Sequence, residues 1–268
     1  MFKKIIFGSI LALLIQSTYA GASTPPIEAS SMLVYDIKNN NVLFEKDADE
    51  VRSAASLTKL MTAVVVIDAN VDMDQTIKIT NDDVDTLKHS HSRMPVGTEL
   101  SRREMLHLAL MSSENRAAHA LARTTYPGGI NTFVKRMNVM ASKIGMTNSH
   151  FLDPTGLNPE NKTTAQDLVK LLKKANSNPL IRELSTDDSK DIQVKRSTIH
   201  YKNTNPLVKS DAWDINVSKT GFIKEAGHCL TMIANVDDKP MAFVILNSGS
   251  NAGRIRDAIL IKNWLVKD

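Results

Sequence analysis

Asp237-Asp238-Lys239-Pro240 separates two apolar runs, Cys229 to Val236 and Met241 to Leu246. Two β-prone runs joined by a short polar turn read as an antiparallel hairpin. Just upstream, Trp213-Asp214-Ile215-Asn216-Val217 alternates apolar and polar residues, the period of a further strand. The other end of the chain carries the same signal, with Met32-Leu33-Val34-Tyr35 and Val42-Leu43-Phe44 flanking the turn Lys38-Asn39-Asn40-Asn41. Between the two ends the signals are helical. Ser101-Arg102-Arg103-Glu104 is a capping box that opens the run Met105 to Met111. Ile130 to Ile144 is amphipathic and stops at Gly145, and Thr164-Ala165-Gln166-Asp167 is a second box with Asp in place of Glu. Ala252 to Val266 closes the chain as a helix with one apolar stripe, Ile255, Ala258, Ile259 and Leu265. The pattern predicts an α/β chain of the α+β kind: an antiparallel sheet from both chain ends with flanking helices, plus an inserted all-helical lobe. The expected division is 21–69 together with 186–268 for the sheet lobe and 70–185 for the helical lobe, with one crevice between them.

The first 20 residues read as a secretory leader. Lys3 and Lys4 are the basic start, Ile5 to Ile15 is apolar, and Thr18-Tyr19-Ala20 ends in small residues that suit cleavage after Ala20. The apolar run is too short for a comfortable membrane span. Cys229 is the sole cysteine, so an exported chain of this kind has no internal disulfide. The formal charge of +4 falls to +2 once Lys3 and Lys4 are removed. Basic residues are scattered and aromatic residues make up 5% of the chain, which argues against nucleic acid as a partner.

Three short words stand in order along the chain: Ser56-Leu57-Thr58-Lys59, Ser113-Glu114-Asn115 and Lys219-Thr220-Gly221. Each is weak alone; the chemistry lies in their conjunction. A serine hydroxyl is a poor nucleophile without an adjacent base. Lys59, three residues on in a helix, reaches the same side as Ser56. It serves as that base if desolvation or a neighbouring cation lowers its pKa, and Lys219 is the candidate neighbour. Ser113 would relay a proton to the leaving group and Asn115 would hold the substrate backbone, although a plain helix N-cap at Ser113 is the simpler alternative. Lys219 and Thr220 would hold a carboxylate, and Gly221 would let the substrate backbone approach closely. The backbone N–H groups of Ser56 and Phe222 would form an oxyanion hole. His89-Ser90-His91 lacks the further ligands that a metal site needs and reads as a polar loop.

The three words are the motif set of penicillin-binding proteins and class A β-lactamases. With Asp153-Pro154-Thr155-Gly156-Leu157, Asn203-Thr204-Asn205-Pro206-Leu207 and Ala226-Gly227-His228-Cys229-Leu230, the chain resembles low-molecular-mass penicillin-binding proteins of the D-alanyl-D-alanine peptidase family. The likeness runs from about Ser30 to Trp264, and it is greatest to the periplasmic D,D-endopeptidases. It implies a serine β-lactamase/D,D-peptidase-like fold and an acyl-enzyme on Ser56. It further implies peptidoglycan stem peptides as substrate, β-lactam antibiotics as inhibitors, and no metal or cofactor. It also implies a periplasmic location with at most loose membrane or wall association. The β-rich C-terminal domain and anchor helix of many carboxypeptidase relatives are not expected, since the chain stops at Asp268. The alternatives are a D-alanyl-D-alanine carboxypeptidase on the same site, a class A-like β-lactamase and a non-catalytic wall-binding protein. Where the lactamases carry E-x-x-L-N, this chain has Asp153 to Asn158, with a shorter carboxylate one residue out of register.

Overall fold

The computed structural model describes residues 25–194 and 197–267, so the leader expected over 1–20 lies outside the described residues. In chain order the strands are β1 (Ser31–Asp36), β2 (Asn41–Lys46), β3 (Arg52–Ser53), β4 (Thr76–Lys78), β5 (Glu99–Ser101), β6 (Lys162–Thr163), β7 (Ser189–Val194), β8 (Ser197–Lys202), β9 (Asp214–Ile223), β10 (Gly227–Val236) and β11 (Lys239–Ser248). The helices are α1 (Thr58–Asp68), α2 (Arg102–Met111), α3 (Asn115–Thr125), α4 (Gly129–Lys143), α5 (Ala165–Asn176), α6 (Pro179–Thr186) and α7 (Asn251–Lys267).

The two chain ends do build one antiparallel sheet, in the order β2-β1-β11-β10-β9. The hairpin at its centre is tighter than the sequence suggests. Val236 pairs with Lys239, so the loop is Asp237-Asp238 alone, and Pro240 already belongs to β11. Both aspartates take positive φ, 49° and 58°, the turn whose twist matches that of the strands. Alternation then sorts the strand residues between two cores. Met32, Val34, Met232, Phe243 and Ile245 pack with Ala258 and Ile261 of α7. Leu33, Ile233, Val244 and Leu246 face the helical side. Helices cover both faces, which is why the central strands are largely apolar on both sides.

The inserted lobe holds more than helices: the short pairs β4–β5 and β3–β6 brace it. α1 is buried from Thr58 to Val66 and packs on α2, α3, α4 and α5, so it lies among the helices although the expected boundary at 69 grouped it with the sheet. α5 in turn lies against β1, β9, β10 and β11. The hairpin β7–β8 carries no strong strand signal in the sequence and was not anticipated. In α7 the buried stripe is Arg254, Asp257, Ala258 and Ile261, whereas Ile259 is exposed. The stripe contains two charged residues because both have buried partners: Asp257 accepts from the Glu28 and Ala29 amides, and Arg254 reaches β9 and β10.

Candidate active site

Ser56 lies in a single 3₁₀ turn, Ala55–Leu57, that leads into α1. Lys59 Nζ stands 2.9 Å from Ser56 Oγ. Lys59 is 1% exposed, and its Nζ has two further partners, Asn115 Oδ1 and Thr155 O, each at 2.7 Å. Both of those oxygens can only accept, so they occupy two N–H bonds of the lysine in either protonation state. The remaining tetrahedral position faces Ser56. An ammonium donates there, and a neutral amine presents its lone pair to the serine hydroxyl.

Burial draws the Lys59 pKa down to about 8, against the pull of the Asp153, Glu114 and Asp85 carboxylates. Of the two causes the sequence leaves open, desolvation and a neighbouring cation, removal from water is the main one. Lys219 is itself 1% exposed and held well below the usual lysine range, first by burial and then by Lys59 and Arg254. Its Nζ donates to Thr220 O at 2.9 Å.

Asn115 is the first residue of α3 and Ser113 sits in the break between α2 and α3 with φ of 61°. The helix N-cap is Glu114, whose carboxylate accepts from the Arg116 amide at 3.2 Å, so Ser113 is not the cap. Ala55, next to Ser56, is also left-handed at φ 46°. Side-chain-bearing residues pay strain there, and such outliers gather at functional sites. The other side of Asn115 is held by its Nδ2, which donates to Ser90 Oγ at 2.9 Å.

Thr220 and Gly221 lie on β9, the edge strand nearest Ser56. Thr220 Oγ1 donates to Thr204 Oγ1 at 2.6 Å. Gly221 has a packing role at the serine turn. A Cβ there would lie 3.2 Å from Ser56 N and 3.3 Å from Leu57 N, so its bareness lets β9 pack on the serine turn. Phe222 is 55% exposed and stacks on His228, with ring centroids 4.3 Å apart.

Three supports escaped the sequence reading. The loop 152–161 carries Thr155 to Lys59. Within it, Asp153 accepts from Thr155 N at 2.5 Å, Thr155 Oγ1 at 2.7 Å, Gly156 N at 2.7 Å and Asn158 N at 2.8 Å. The fully buried Asn161 ties that loop to α1 through Thr58 Oγ1 at 3.1 Å, and its carbonyl accepts from the Ala54 amide at 2.8 Å. Arg254 Nη1 donates to Gly221 O at 3.0 Å and Cys229 O at 2.8 Å, pinning β9 from α7. The Asp-x-x-Gly spacing is a turn signal that points to the first of these; nothing in the sequence marks Arg254.

Residues 18–250 match the family model described as D-alanyl-D-alanine carboxypeptidase. The chain is 42% identical over 246 residues to a D-alanyl-D-alanine endopeptidase of Escherichia coli, covering 91% of this chain and 79% of that one. It is 40% identical over 260 residues to a D-alanyl-D-alanine endopeptidase of Pseudomonas aeruginosa, covering 93% and 84%. Among solved structures, the Streptomyces K15 DD-transpeptidase superposes with a TM-score of 0.84 at 29% identity, over 91% of this chain and 98% of that one.

Proposed function

The chain belongs to the D-alanyl-D-alanine carboxypeptidase family of serine peptidases, and on that premise we propose that it cleaves D-alanyl bonds of peptidoglycan cross-links through an acyl-enzyme on Ser56. The hydrogen-bond set of Lys59 carries the proposal. With two N–H bonds committed to Asn115 and Thr155, the neutral amine has its lone pair free for the Ser56 proton. Ser56 Oγ attacks the D-alanyl carbonyl carbon as Lys59 takes its proton, and the N–H groups of Ser56 and Phe222 receive the oxyanion. The proton passes by way of the Ser113 hydroxyl to the leaving amine as the C–N bond breaks. Water then adds to the ester with Lys59 again as base, releasing the acid and restoring Ser56.

Several observations support the assignment of roles. Gly221 O turns toward the β10 side, where Arg254 Nη1 donates both to it and to the Cys229 carbonyl. Neighbouring residues of a strand present their backbone groups to opposite sides, so the Phe222 N–H faces the free edge beside Ser56. Lys219, buried and short of partners, suits a substrate carboxylate. The endopeptidase reading over the carboxypeptidase one rests on the relatives at 40–42% identity. The lactamase reading is disfavoured by Asp153, whose carboxylate already accepts four hydrogen bonds from its own loop. No helix among the described residues is long and apolar enough to cross a membrane. The leader expected over 1–20 and the D-alanyl-D-alanine endopeptidase relatives support work in the periplasm with loose wall or membrane association at most.

Intact mass of the mature protein after a penicillin pulse, with peptide mapping, tests the reading. A lasting adduct on Ser56 is the expected result. Rapid loss of that adduct favours a β-lactamase, and no adduct overturns Ser56 as nucleophile.

A further inference from the structure

Thr220 and Thr204 share a hydrogen bond of 2.6 Å, the shortest contact that either hydroxyl makes. Thr220 donates and Thr204 accepts. The Thr204 hydroxyl in turn donates to Met111 O at a long 3.4 Å, while the Thr204 amide donates to the same carbonyl at 3.0 Å. The line of hydroxyls therefore runs from the edge strand β9 to the last residue of α2, just ahead of the Ser113 loop.

In this arrangement the Thr220 hydrogen points at Thr204. The Thr220 oxygen offers only lone pairs to anything in the cleft, and an incoming carboxylate would be repelled. We propose that Thr204 is a positioning residue for carboxylate recognition, acting by reversing this hydroxyl pair. Thr204 swings its hydrogen from Met111 O to Thr220 Oγ1, and Thr220 turns its own hydrogen into the cleft. The two oxygens already stand 2.6 Å apart, so the reversal is a rotation of two hydroxyls with at most a small shift of either side chain. Met111 O keeps the Thr204 amide, so the reversal gives up one long hydrogen bond and gains a charge-assisted one, which is the stronger kind. Donation from Thr204 also polarises Thr220 as a donor. The inference rests on the reading above, in which Lys219 and Thr220 hold the substrate carboxylate.

The test compares acylation of Ser56 by benzylpenicillin with acylation by its methyl ester, which lacks the charged carboxylate, in the full mature chain. Thr204→Val removes the hydroxyl and keeps the shape and the amide bond to Met111. It should lower the rate constant of acylation by benzylpenicillin about tenfold, chiefly through weaker binding, and change that by the ester less than about twofold. Thr204→Ser should restore the benzylpenicillin rate to within about threefold. Equal loss with both compounds in Thr204→Val, or no loss with either, overturns the proposal. If the parent chain forms no adduct with either compound, it is the assignment of Ser56 that fails. Thermal melting of each variant separates misfolding from the effect sought, and the serine variant keeps the comparison decisive if the valine variant does not fold.

Discussion

Gly156 rests on Ala55: a Cβ at residue 156 would lie 1.8 Å from the Ala55 carbonyl oxygen and 2.9 Å from the Ser56 amide nitrogen. The loop 152–161 thus presses its backbone directly on the strained turn that presents the proposed nucleophile, and Gly156 has φ of 84°. Gly156→Ala meets both a clash and an unfavourable φ. It should cost about 3 kcal/mol of stability and slow acylation at least ~100-fold by displacing Ser56. Melting curves together with adduct formation under native conditions check both parts.

Lys59 sets the pH dependence of acylation. Its pKa of about 8 means that the neutral base is the minor form at pH 6 and the major form at pH 9. The acylation rate should therefore rise with pH below about 8 and level off above it. Lys59→Ala should acylate about 1000-fold more slowly. The lysine is fully buried, so its loss also leaves Asn115 Oδ1 and Thr155 O without a donor, at a cost of about 1–3 kcal/mol. A pH–rate profile without a limb near 8, or a Lys59→Ala variant that acylates at the parent rate, would remove Lys59 as the base.

Arg254 acts at a distance from the chemistry. Its guanidinium binds the carbonyls of Gly221 and Cys229, which are register partners on β9 and β10. Arg254→Met should take a charged hydrogen bond from each carbonyl, at about 2 kcal/mol in all, and let the β9 edge drift from Ser56. Acylation should fall about tenfold or more. Urea unfolding and adduct kinetics measure the two effects separately; a variant with parent stability and parent kinetics would show the clamp to be dispensable.

Asp83 stabilises the helical lobe in a pH-dependent way. Burial pushes its pKa up, but hydrogen bonds from His119 and Arg123 outweigh this and hold it at about 2 against an ordinary 3.8. A folded-state pKa below the unfolded one gives stability that is present above about pH 4 and lost as the pH falls toward 2. Over that interval the shift corresponds to about 2 kcal/mol. Asp83→Asn should be less stable than the parent by about that amount at pH 7, with the gap closing below pH 3. Unfolding free energies of both proteins across this range decide it.

The sheet was legible because its signals are local. Alternation in Trp213 to Val217 and the polar turn at Asp237-Asp238 declare strands without help from elsewhere. The capping box at Ser101 was legible for the same reason, and both of its reciprocal bonds form. β7–β8 was not, since Ser189–Val194 and Ser197–Lys202 mix charged and apolar residues that only their neighbours sort into faces. Ile259 was misjudged because a helical stripe scored by apolar residues overlooks a buried arginine and aspartate. For Lys59 the sequence supplied the group and its spacing from Ser56. The source of its lowered pKa depends on how much water α1 loses, which spacing does not reveal.

By itself, the order of the three words in the sequence determined the chemistry, because a hydroxyl, an amine and an amide at those separations suit few reactions. The tertiary structure decided what makes these groups usable. It brings Thr155, 96 residues from Lys59 in sequence, to the lysine amine, sets Arg254 behind Gly221 and joins Thr204 to Thr220. Hydrogen bonds and desolvation act over a few ångströms of space, and the partners they select are fixed only once the sheet and helices have packed.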